Sequence, residues 1–424
     1  MHKIERLLQT LAPKGVEFKT LEEVFEIKNG YTPSKNNPEF WEKGTIPWFR
    51  MEDIRENGRI LKDSIQHITP KALKNKKLFP KNSIIISTTA TIGEHALLIV
   101  DSLANQRFTF LSKKANCGIA LDMKFFFYQC FLLGEWCKKN TNVSGFASVD
   151  MTAFKKYKFP IPPLEIQQEI VKILDAFTEL NTELNTELNA RKKQYQYYQN
   201  MLLDFNGINS NHKDAKEKLE QKTYPKNLKT LLQTLAPKGV EFRKLGEVCD
   251  FQKGKSITKK AVTFGKVPVI SGGRQPAYYH NEANRSGETI AISSSGVYAG
   301  YVSYWDIPVF LADSFSVSPK QKTLMPKYLF HYLTTQQDAI HATKSTGGIP
   351  HVYSKDLQNF LIPIPPLEIQ QEIVKILDQF LALTTDLLAG IPAEIKARKK
   401  QYEYYREKLL SFKPLTPHKE VKKC

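Results

Sequence analysis

Cysteine is scarce in this sequence, and long apolar stretches are missing from it. The five cysteines among 424 residues are scattered, without a Cys-x-x-Cys pair or a finger-like Cys/His spacing. A metal site is therefore not expected, and the thiols should be reduced. The start lacks the apolar core of a signal peptide, and the longest mostly apolar stretch, Phe125 to Leu133, is too short to span a bilayer. We expect a cytoplasmic protein that has no membrane partner.

The motifs of common catalytic sites are also missing. Gly254-Lys255-Ser256 resembles the end of a phosphate-binding loop, but Cys249 stands where that loop needs its first glycine. There is no glycine-rich strand–helix turn for a methyl donor, no Asn/Asp-Pro-Pro-aromatic motif for adenine methylation and no recognisable nucleophile context. The sequence thus predicts a non-catalytic protein, with no catalytic residues and no cofactor of its own.

Positive charge is abundant. Lysine and arginine number 61 against 43 aspartates and glutamates, which gives a net charge of +18. A long polyanion such as DNA is the natural partner of such a field, although a basic proteome would give the same value.

Two blocks of sequence occur twice. Leu7 to Phe18 reads LLQTLAPKGVEF and recurs at Leu231 to Phe242, and Pro160 to Asp175 reads PIPPLEIQQEIVKILD and recurs at Pro363 to Asp378. A shorter repeat, ARKKQY, begins at Ala190 and again at Ala397. The segments between the blocks differ from each other. We call each set of repeated blocks a frame and the segment that it encloses an insert, so two matched frames hold two different inserts. Only two copies are present, which excludes a solenoid.

Each longer block predicts a long helix. It opens on a Pro-Pro pair, which suits a helix start, and apolar residues then follow at alternating steps of four and three, which is a heptad seam. We expect the two helices to pack as an antiparallel coiled coil; the alternative is that each helix packs on its own domain. The predicted seam residues are Ile166, Ile170, Ile173, Phe177, Leu180 and Leu184 in the first helix, and Ile369, Ile373, Ile376, Phe380, Leu383 and Leu387 in the second.

The first helix contains a small repeat, TELN three times over residues 178–189. Each unit lengthens a helix by about 6 Å and turns its end by about 40°, close to the rotation of roughly 35° between successive base pairs of B-DNA. A unit gained or lost could reset a spacing along DNA by about one base pair. Ordinary repeat slippage is the alternative.

The inserts predict mixed α/β domains whose polar loops suit DNA contact. Arginine can bridge guanine O6 and N7, asparagine and glutamine can bridge adenine N6 and N7, and small hydroxyl residues can approach phosphates. For any single residue, ordinary solvation is the competing interpretation. The candidates for DNA binding are Lys28, Thr32, Ser34, Lys35, Arg50, Thr88, Thr89, Asn105, Gln106, Arg107, Arg274, Gln275, Ser293, Ser294, Ser295 and Thr346.

The duplicated PIPPLEIQQEIV blocks, each followed by heptads and ARKKQY, resemble the conserved regions of Type I restriction–modification specificity subunits. The insert pieces Gly30 to Ser34 and Ile46 to Trp48 look like that family's target recognition domains. The resemblance implies that each domain reads one half of a split double-stranded DNA site. It also implies that the helices set the separation and dock two methyltransferase subunits, which restriction/translocase subunits join. S-adenosylmethionine, ATP and magnesium would belong to those partners.

The expected fold class is α+β: two mixed α/β target recognition domains separated by two long antiparallel helices in a pseudo-two-fold arrangement. A four-residue difference between the helices, and Gly390 with Pro392 in the second, make the symmetry imperfect. The predicted boundaries are 1–159 for the first recognition domain, 160–205 for the central helix, 206–230 for a linker, 231–362 for the second recognition domain, 363–412 for the C-terminal helix and 413–424 for a basic tail.

Two other functions remain open. A coiled-coil adaptor presenting two globular domains to protein partners would show no DNA sequence preference. A fused methyltransferase–nuclease would methylate or cleave DNA as an isolated chain. A specificity subunit would instead bind a defined duplex sequence, with an affinity that falls steeply as salt rises.

Overall fold

The computed structural model describes residues 2–74, 76–142, 147–208, 214–320, 322–345, 348–385 and 390–415. It divides into two compact units. The first consists of residues 1–183 and 396–424, and the second of residues 184–395. Both units contain helices and strands, as the predicted α+β class requires. No helix of the described chain is long and apolar enough to cross a membrane.

The first unit is built on a mixed sheet with strand order β2-β9-β6-β7-β4, in which the β4–β7 pair is parallel and the other pairs are antiparallel. A smaller sheet has the order β5-β3-β8, and β1 pairs with β12 and β10 with β11. The strands are β1 Glu17–Thr20, β2 Phe25–Asn29, β3 Ile46–Phe49, β4 Ile60–Leu61, β5 His67–Ile68, β6 Ser83–Ser87, β7 His95–Leu98, β8 Leu103–Ala104, β9 Phe108–Lys113, β10 Thr141–Asn142, β11 Ser148–Val149 and β12 Lys158–Ile161.

The main sheet of the first unit is buried on both faces. In β6 all five residues are buried, because alternate side chains point to opposite sides of a strand. Ile84 and Ile86 join the core formed with the phenylalanines of α4, whereas Ile85 joins a separate core with Phe49. The helices that begin in this unit are α1 His2–Leu11, α2 Leu21–Val24, α3 Met51–Asn57, α4 Met123–Lys139, α5 Met151–Lys155 and α6 Leu164–Leu203.

The second unit repeats this plan with a different sequence. Its main sheet has the order β14-β20-β17-β18, its smaller sheet has the order β16-β15-β19, and β13 pairs with β21. The strands are β13 Glu241–Lys244, β14 Cys249–Lys253, β15 Val267–Ile270, β16 Tyr278–His280, β17 Thr289–Ser293, β18 Val302–Trp305, β19 Phe310–Leu311, β20 Ser314–Pro319 and β21 Leu361–Ile364. The further helices are α7 Ala215–Gln221, α8 Lys226–Leu235, α9 Leu245–Val248, α10 Pro326–Thr335, α11 Gln337–Ala342, α12 Ser354–Leu357, α13 Leu367–Thr385 and α14 Ile391–Leu410.

A glutamine of the repeated block fastens each insert to its helix. The side chain of Gln167 is fully buried; its Oε1 accepts from Asp122 N at 2.8 Å, and its Nε2 donates to Ala120 O and Pro162 O. Gln370 makes the same three bonds in the second unit, to Met325 N, Thr323 O and Pro365 O. All six bonds go to backbone atoms, so they do not depend on the side chains of the insert.

The aspartate that ends the repeated block makes a second contact. Asp175 accepts from Lys124 Nζ at 2.6 Å and from the Tyr128 hydroxyl at 2.7 Å. Asp378 accepts from Lys327 Nζ at 2.6 Å, and His331 Nε2 lies 3.0 Å from it. Each insert therefore supplies a lysine and one further polar side chain. Both come from α4 in the first unit and from α10 in the second.

The long helices pack inside each unit through matched aromatic pairs. Phe177 stacks on Tyr405 with ring centroids 5.6 Å apart, and Phe380 stacks on Tyr198 at 5.0 Å. An early residue of one helix thus meets a late residue of the other, which is the antiparallel sense that the heptads predict. Four of the predicted seam residues, Ile166, Ile170, Ile369 and Ile373, are fully buried in the cores of their own units.

The second helix is interrupted beside Gly390 and Pro392, the residues that set it apart from the first helix in sequence, because α13 ends at Thr385 and α14 begins at Ile391. Other parts of the helix prediction need correction. The prediction for Leu383 is wrong, because this side chain is 44% exposed, and Leu387 lies outside the described residues. Half-buried positions hold the other predicted seam residues, Ile173, Leu180, Leu184 and Ile376.

Much of the segment predicted as a linker, 206–230, is folded. It contains α7 and the start of α8, and its apolar residues join the core of the second unit. The sequence does contain a helical pattern here, because Ala215 and Leu219, and again Leu228 and Leu232, follow the four-residue spacing of one helix face. The many lysines between them led to the prediction of a linker.

We expect Gln167→Leu to destabilise the first unit, because Asp122 N, Ala120 O and Pro162 O would lose their buried partner. A loss of about 3 kcal/mol follows from unpaired groups that cost roughly 1–3 kcal/mol each. For a unit of this size, the midpoint of thermal unfolding should fall by about 6 °C or more.

The control is Gln168→Leu, since its side chain is exposed on the same helix and surface changes cost within about 0.5 kcal/mol. Equal shifts for the two variants would contradict the role of Gln167.

Candidate nucleic-acid interface

Four loops of the first unit enclose a cleft of about 370 Å³. The loops follow β2, β3 and β6 and connect β8 to β9. Six predicted candidates line this cleft together with side chains that were not predicted. The lining residues are Thr32, Lys35, Trp48, Arg50, Met51, Glu52, Arg55, Ser87, Thr91, Asn105, Gln106, Arg107 and Phe108.

Backbone contacts fix the shape of the cleft. Tyr31 N donates to Ala104 O at 2.7 Å, and a Cβ at Gly30 would meet Asn105 O at 2.2 Å. Only glycine allows this close approach of the two loops. Asn105 then turns the second loop, because its Oδ1 accepts from Arg107 N at 3.0 Å.

Arg50 occupies a prepared position in the cleft. The carboxylate of Asp53, which is fully buried, accepts from Arg50 N at 2.6 Å and from Ile65 N at 2.6 Å. The guanidinium lies 5.9 Å from the ring of Trp48, and Trp48 Nε1 donates to Tyr31 O at 2.9 Å. Arg50 Nε is buried and has no hydrogen-bond partner within the described residues. An acceptor entering the cleft would satisfy it.

The cleft carries more positive than negative charge. Lys35, Arg50, Arg55 and Arg107 line it, against Glu52 as the acidic lining residue. Cations held near a low-dielectric wall attract a polyanion strongly, and the fork of a guanidinium matches the acceptors of phosphate or guanine. The lining of the cleft therefore suits a ligand that is rich in hydrogen-bond acceptors.

Other predicted residues of the first unit lie elsewhere. Lys28 lies outside this cleft and pairs with Glu26 at 2.8 Å. The prediction of DNA contact by Thr88 needs correction. This residue is only 7% exposed, and its hydroxyl forms a hydrogen bond of 2.9 Å with that of Thr109 inside the unit. Ser34 is exposed and Thr89 is half-buried, and neither is among the cleft residues.

The second unit brings its own three loops together. A Cβ at Gly272 would meet Ser295 O at 2.6 Å, and the hydroxyl of Ser295 donates to the carboxylate of Asp313. Arg274 is exposed and its guanidinium lies 4.9 Å from the ring of Tyr298. The loops are therefore Ser271–Gln275, Ser293–Ser295 and Ala312–Asp313.

The predicted residues of the second unit divide in the same way. Arg274 and Gln275 are exposed, and Ser294 and Ser295 are half-buried. The prediction of DNA contact by Ser293 also needs correction, because this residue is only 2% exposed and its hydroxyl donates to Ser271 O at 3.1 Å. Thr346 lies outside the described residues. Asp313 was not predicted, since a single acidic residue before a strand has no signal in sequence.

No group of three or more His, Cys, Asp or Glu side chains in the part of the chain that the structure describes could hold a metal ion. His95 packs between the rings of Phe127 and Phe131, and burial, together with the charge of Arg59, lowers its pKa to about 3. This histidine is therefore neutral and belongs to the core.

Comparison with known protein families shows the family to which the chain belongs. The model of the Type I restriction modification DNA specificity domain matches residues 13–194 and again 237–397. The chain belongs to this family. The double match follows the two frames of the repeat. Relatives in this family are named specificity subunits, which are the non-catalytic DNA-recognition components of type I restriction systems, and the chain is a non-catalytic protein of this kind.

Two curated relatives are from Escherichia coli. The chain is 40% identical over 402 residues to the EcoprrI specificity subunit, covering 91% of this chain and 93% of the relative. It is 33% identical over 313 residues to the EcoR124I/EcoR124II specificity subunit, covering 65% and 70%. Among solved structures, the type I S subunit from M. genitalium superposes with a TM-score of 0.57 at 19% identity, over 93% of this chain and 96% of that one. That likeness concerns the fold alone.

We expect Gly272→Ala to disturb the loops of the second unit, because the added Cβ would lie 2.6 Å from a backbone oxygen, Ser295 O. Affinity for a target duplex should fall by about tenfold, the effect of about 1.4 kcal/mol.

Gly273→Ala is the matched control, since the nearest atom to its Cβ would be 3.5 Å away. Competition binding by the full chain measures both variants. A Gly272→Ala affinity equal to that of the control would show that this loop does not contact the target.

Proposed function

We propose that the chain recognises a bipartite double-stranded DNA target, each unit reading one half, and that it positions the catalytic subunits of a type I restriction–modification complex. The observation that carries this proposal is the pair of matched frames. Three polar loops, which follow β3, β6 and β8 in the first unit and β15, β17 and β19 in the second, are joined by equivalent backbone hydrogen bonds, yet their side chains differ. The same arrangement of loops, carrying different side chains in the two units, suits the recognition of two different half-sites.

The charge supports DNA as the ligand over an acidic protein. The net charge is +18, and the cleft of the first unit adds arginines whose donor geometry matches base edges and phosphates. An adaptor for proteins would need no such cleft. Binding of this kind releases counterions, so affinity should fall steeply with salt.

The repeated helices support docking of two copies of one partner. Tyr197 and Tyr404 occupy matched positions in the repeated Gln-Tyr segment and are 62% and 51% exposed. Exposed tyrosines are common anchors at interfaces. Two matched surfaces would bind two methyltransferase subunits, and restriction/translocase subunits would complete the complex. S-adenosylmethionine, ATP and magnesium would be held by those partners, in the cytoplasm where the host DNA lies.

Genome-wide mapping of methylated adenines tests the proposal. The chain would be co-expressed with its neighbouring methyltransferase, and the methylated sites would be aligned. We expect a split motif with a fixed gap between two defined halves. In the same assay, deleting one TELN unit should change the gap by about one base pair, from the helix geometry, and leave both halves intact.

The outcomes separate the candidate functions. Methylation without a defined motif, or none above the level of the methyltransferase alone, would favour the protein adaptor and overturn the proposal. Methylation by the isolated chain would favour a fused enzyme. An unchanged gap after the TELN deletion would remove only the role of that repeat in spacing.

A further inference from the structure

One loop position carries opposite charge in the two units. Thr88 N donates to Arg107 O at 3.2 Å in the first unit, and Ser294 N donates to Asp313 O at 3.0 Å in the second. Both acceptor residues stand immediately before the long strand that follows, β9 or β20. Arg107 and Asp313 are therefore equivalent by backbone geometry, although the two sequences around them are unrelated.

The surrounding frame confirms this equivalence. Before the loop, Tyr31 N donates to Ala104 O at 2.7 Å, and Lys255 N donates to Leu311 O at 2.9 Å. After the loop, Phe108 and Ser314 are matched, since their carbonyls accept from Gly30 N at 2.9 Å and from Gly254 N at 2.8 Å. The loop has three residues in the first unit and two in the second. This length difference hides the match from a sequence comparison.

The neighbouring loop also loses a positive charge between the first unit and the second. Asn105 N donates to Phe49 O at 3.1 Å, and Ala312 N donates to Ile270 O at 2.8 Å. The next residues are therefore equivalent as well, and they are Arg50 in the first unit and Ser271 in the second. Two arginines of the first unit are thus replaced by a serine and an aspartate.

The carboxylate of Asp313 belongs to the loop surface of the second unit. The residue is half-buried, and its carboxylate accepts from the hydroxyl of Ser295. A Cβ at Gly272 would lie 3.7 Å from Asp313 Oδ2, so the absence of a side chain there leaves the carboxylate uncovered on that side. An ionised carboxylate has several acceptor positions, and Ser295 uses one.

The two units therefore offer complementary hydrogen-bonding groups. Guanine presents the acceptors O6 and N7 in the major groove, which suit arginine, whereas cytosine presents the N4 amine, which suits a carboxylate. A carboxylate also rejects guanine and the phosphates, because acceptors and negative charges oppose it. We propose that Asp313 accepts a hydrogen bond from the N4 amine of a cytosine in the half-site of the second unit, and that Arg107 contacts a guanine in the other half-site. This inference rests on the proposed function.

A purely structural role for Asp313 makes a different prediction. If the carboxylate only holds Ser295, the amide of asparagine can take its place, because its oxygen still accepts from the hydroxyl. If it reads cytosine, the same change introduces an NH₂ donor, which can pair with other bases. Asp313→Asn separates the two roles because it keeps the size of the side chain.

The test is adenine-methylation mapping of Asp313→Asn co-expressed with the partner methyltransferase. We expect one cytosine of one half to lose its requirement, with the other half and the gap unchanged. In competition binding, the preference for the cognate duplex over one substituted at that cytosine should fall by about tenfold, within the 1–3 kcal/mol that one base contact contributes.

The matched control is Asp306→Asn, which removes the same charge at an exposed position of the same unit and should leave the motif intact. Arg107→Gln should relax a guanine in the opposite half. Because methylation at sites with the unchanged half requires a folded chain, the mapping also reports folding.

An unaltered cytosine requirement in Asp313→Asn, or a change in the same half as Arg107→Gln, would overturn the inference. Failure of the proposed function is distinguishable, because the wild-type chain would then give no split motif.

Discussion

The structure depends on the way in which the helix of each repeated block holds its insert. Gln167 and Gln370 are fully buried and bond to backbone atoms of the inserts. A buried polar group must be paired, or it costs free energy, so these bonds fix the position of the chain just before α4 and α10. Because backbone atoms are the same in every sequence, the insert can change without losing this attachment.

The same principle extends to the polar loops that line the cleft of the first unit and to their counterparts in the second. The loops are placed by backbone hydrogen bonds and by glycines, such as Gly30 and Gly254, whose Cβ atoms would meet backbone oxygens at 2.2 Å and 2.6 Å. Side chains such as Arg107 and Asp313 are therefore free to differ. The loop side chains can change without loss of the backbone contacts that hold the loops in place.

The aspartate contacts are the part of the attachment that does depend on side chains. Burial raises the pKa of Asp378, but hydrogen bonds from His331 and Lys327 outweigh it and hold that pKa below the ordinary value. The stabilisation is therefore present above the ordinary pKa of an aspartate and is lost as pH falls through the lowered value. The contact persists at neutral pH. Tyr128 in the first insert and His331 in the second supply the corresponding partner.

The sequence predicted the features that have a period along the chain. The mixed α/β character of the inserts was found, and the heptads predicted helices where α6, α13 and α14 lie. The sequence could not predict which loops meet, and so the buried Thr88 was proposed, while Arg55, which lines the cleft, and Asp313, which bonds Ser295, were not. The likeness of the inserts was invisible for a related reason: backbone bonds, which carry no sequence signature, create it. The aspartates and glutamines of the repeat were visible as identical residues, but their partners lie about 50 residues away in the inserts.

Insert exchange within the chain tests most directly whether the frames hold their inserts independently of sequence. The segment Lys19–Phe159 would replace Arg243–Ile362, which places the same insert in both frames. The account predicts a folded chain that directs methylation to sites with two copies of one half. A chain that fails to fold, or one that retains the original second half, would contradict it.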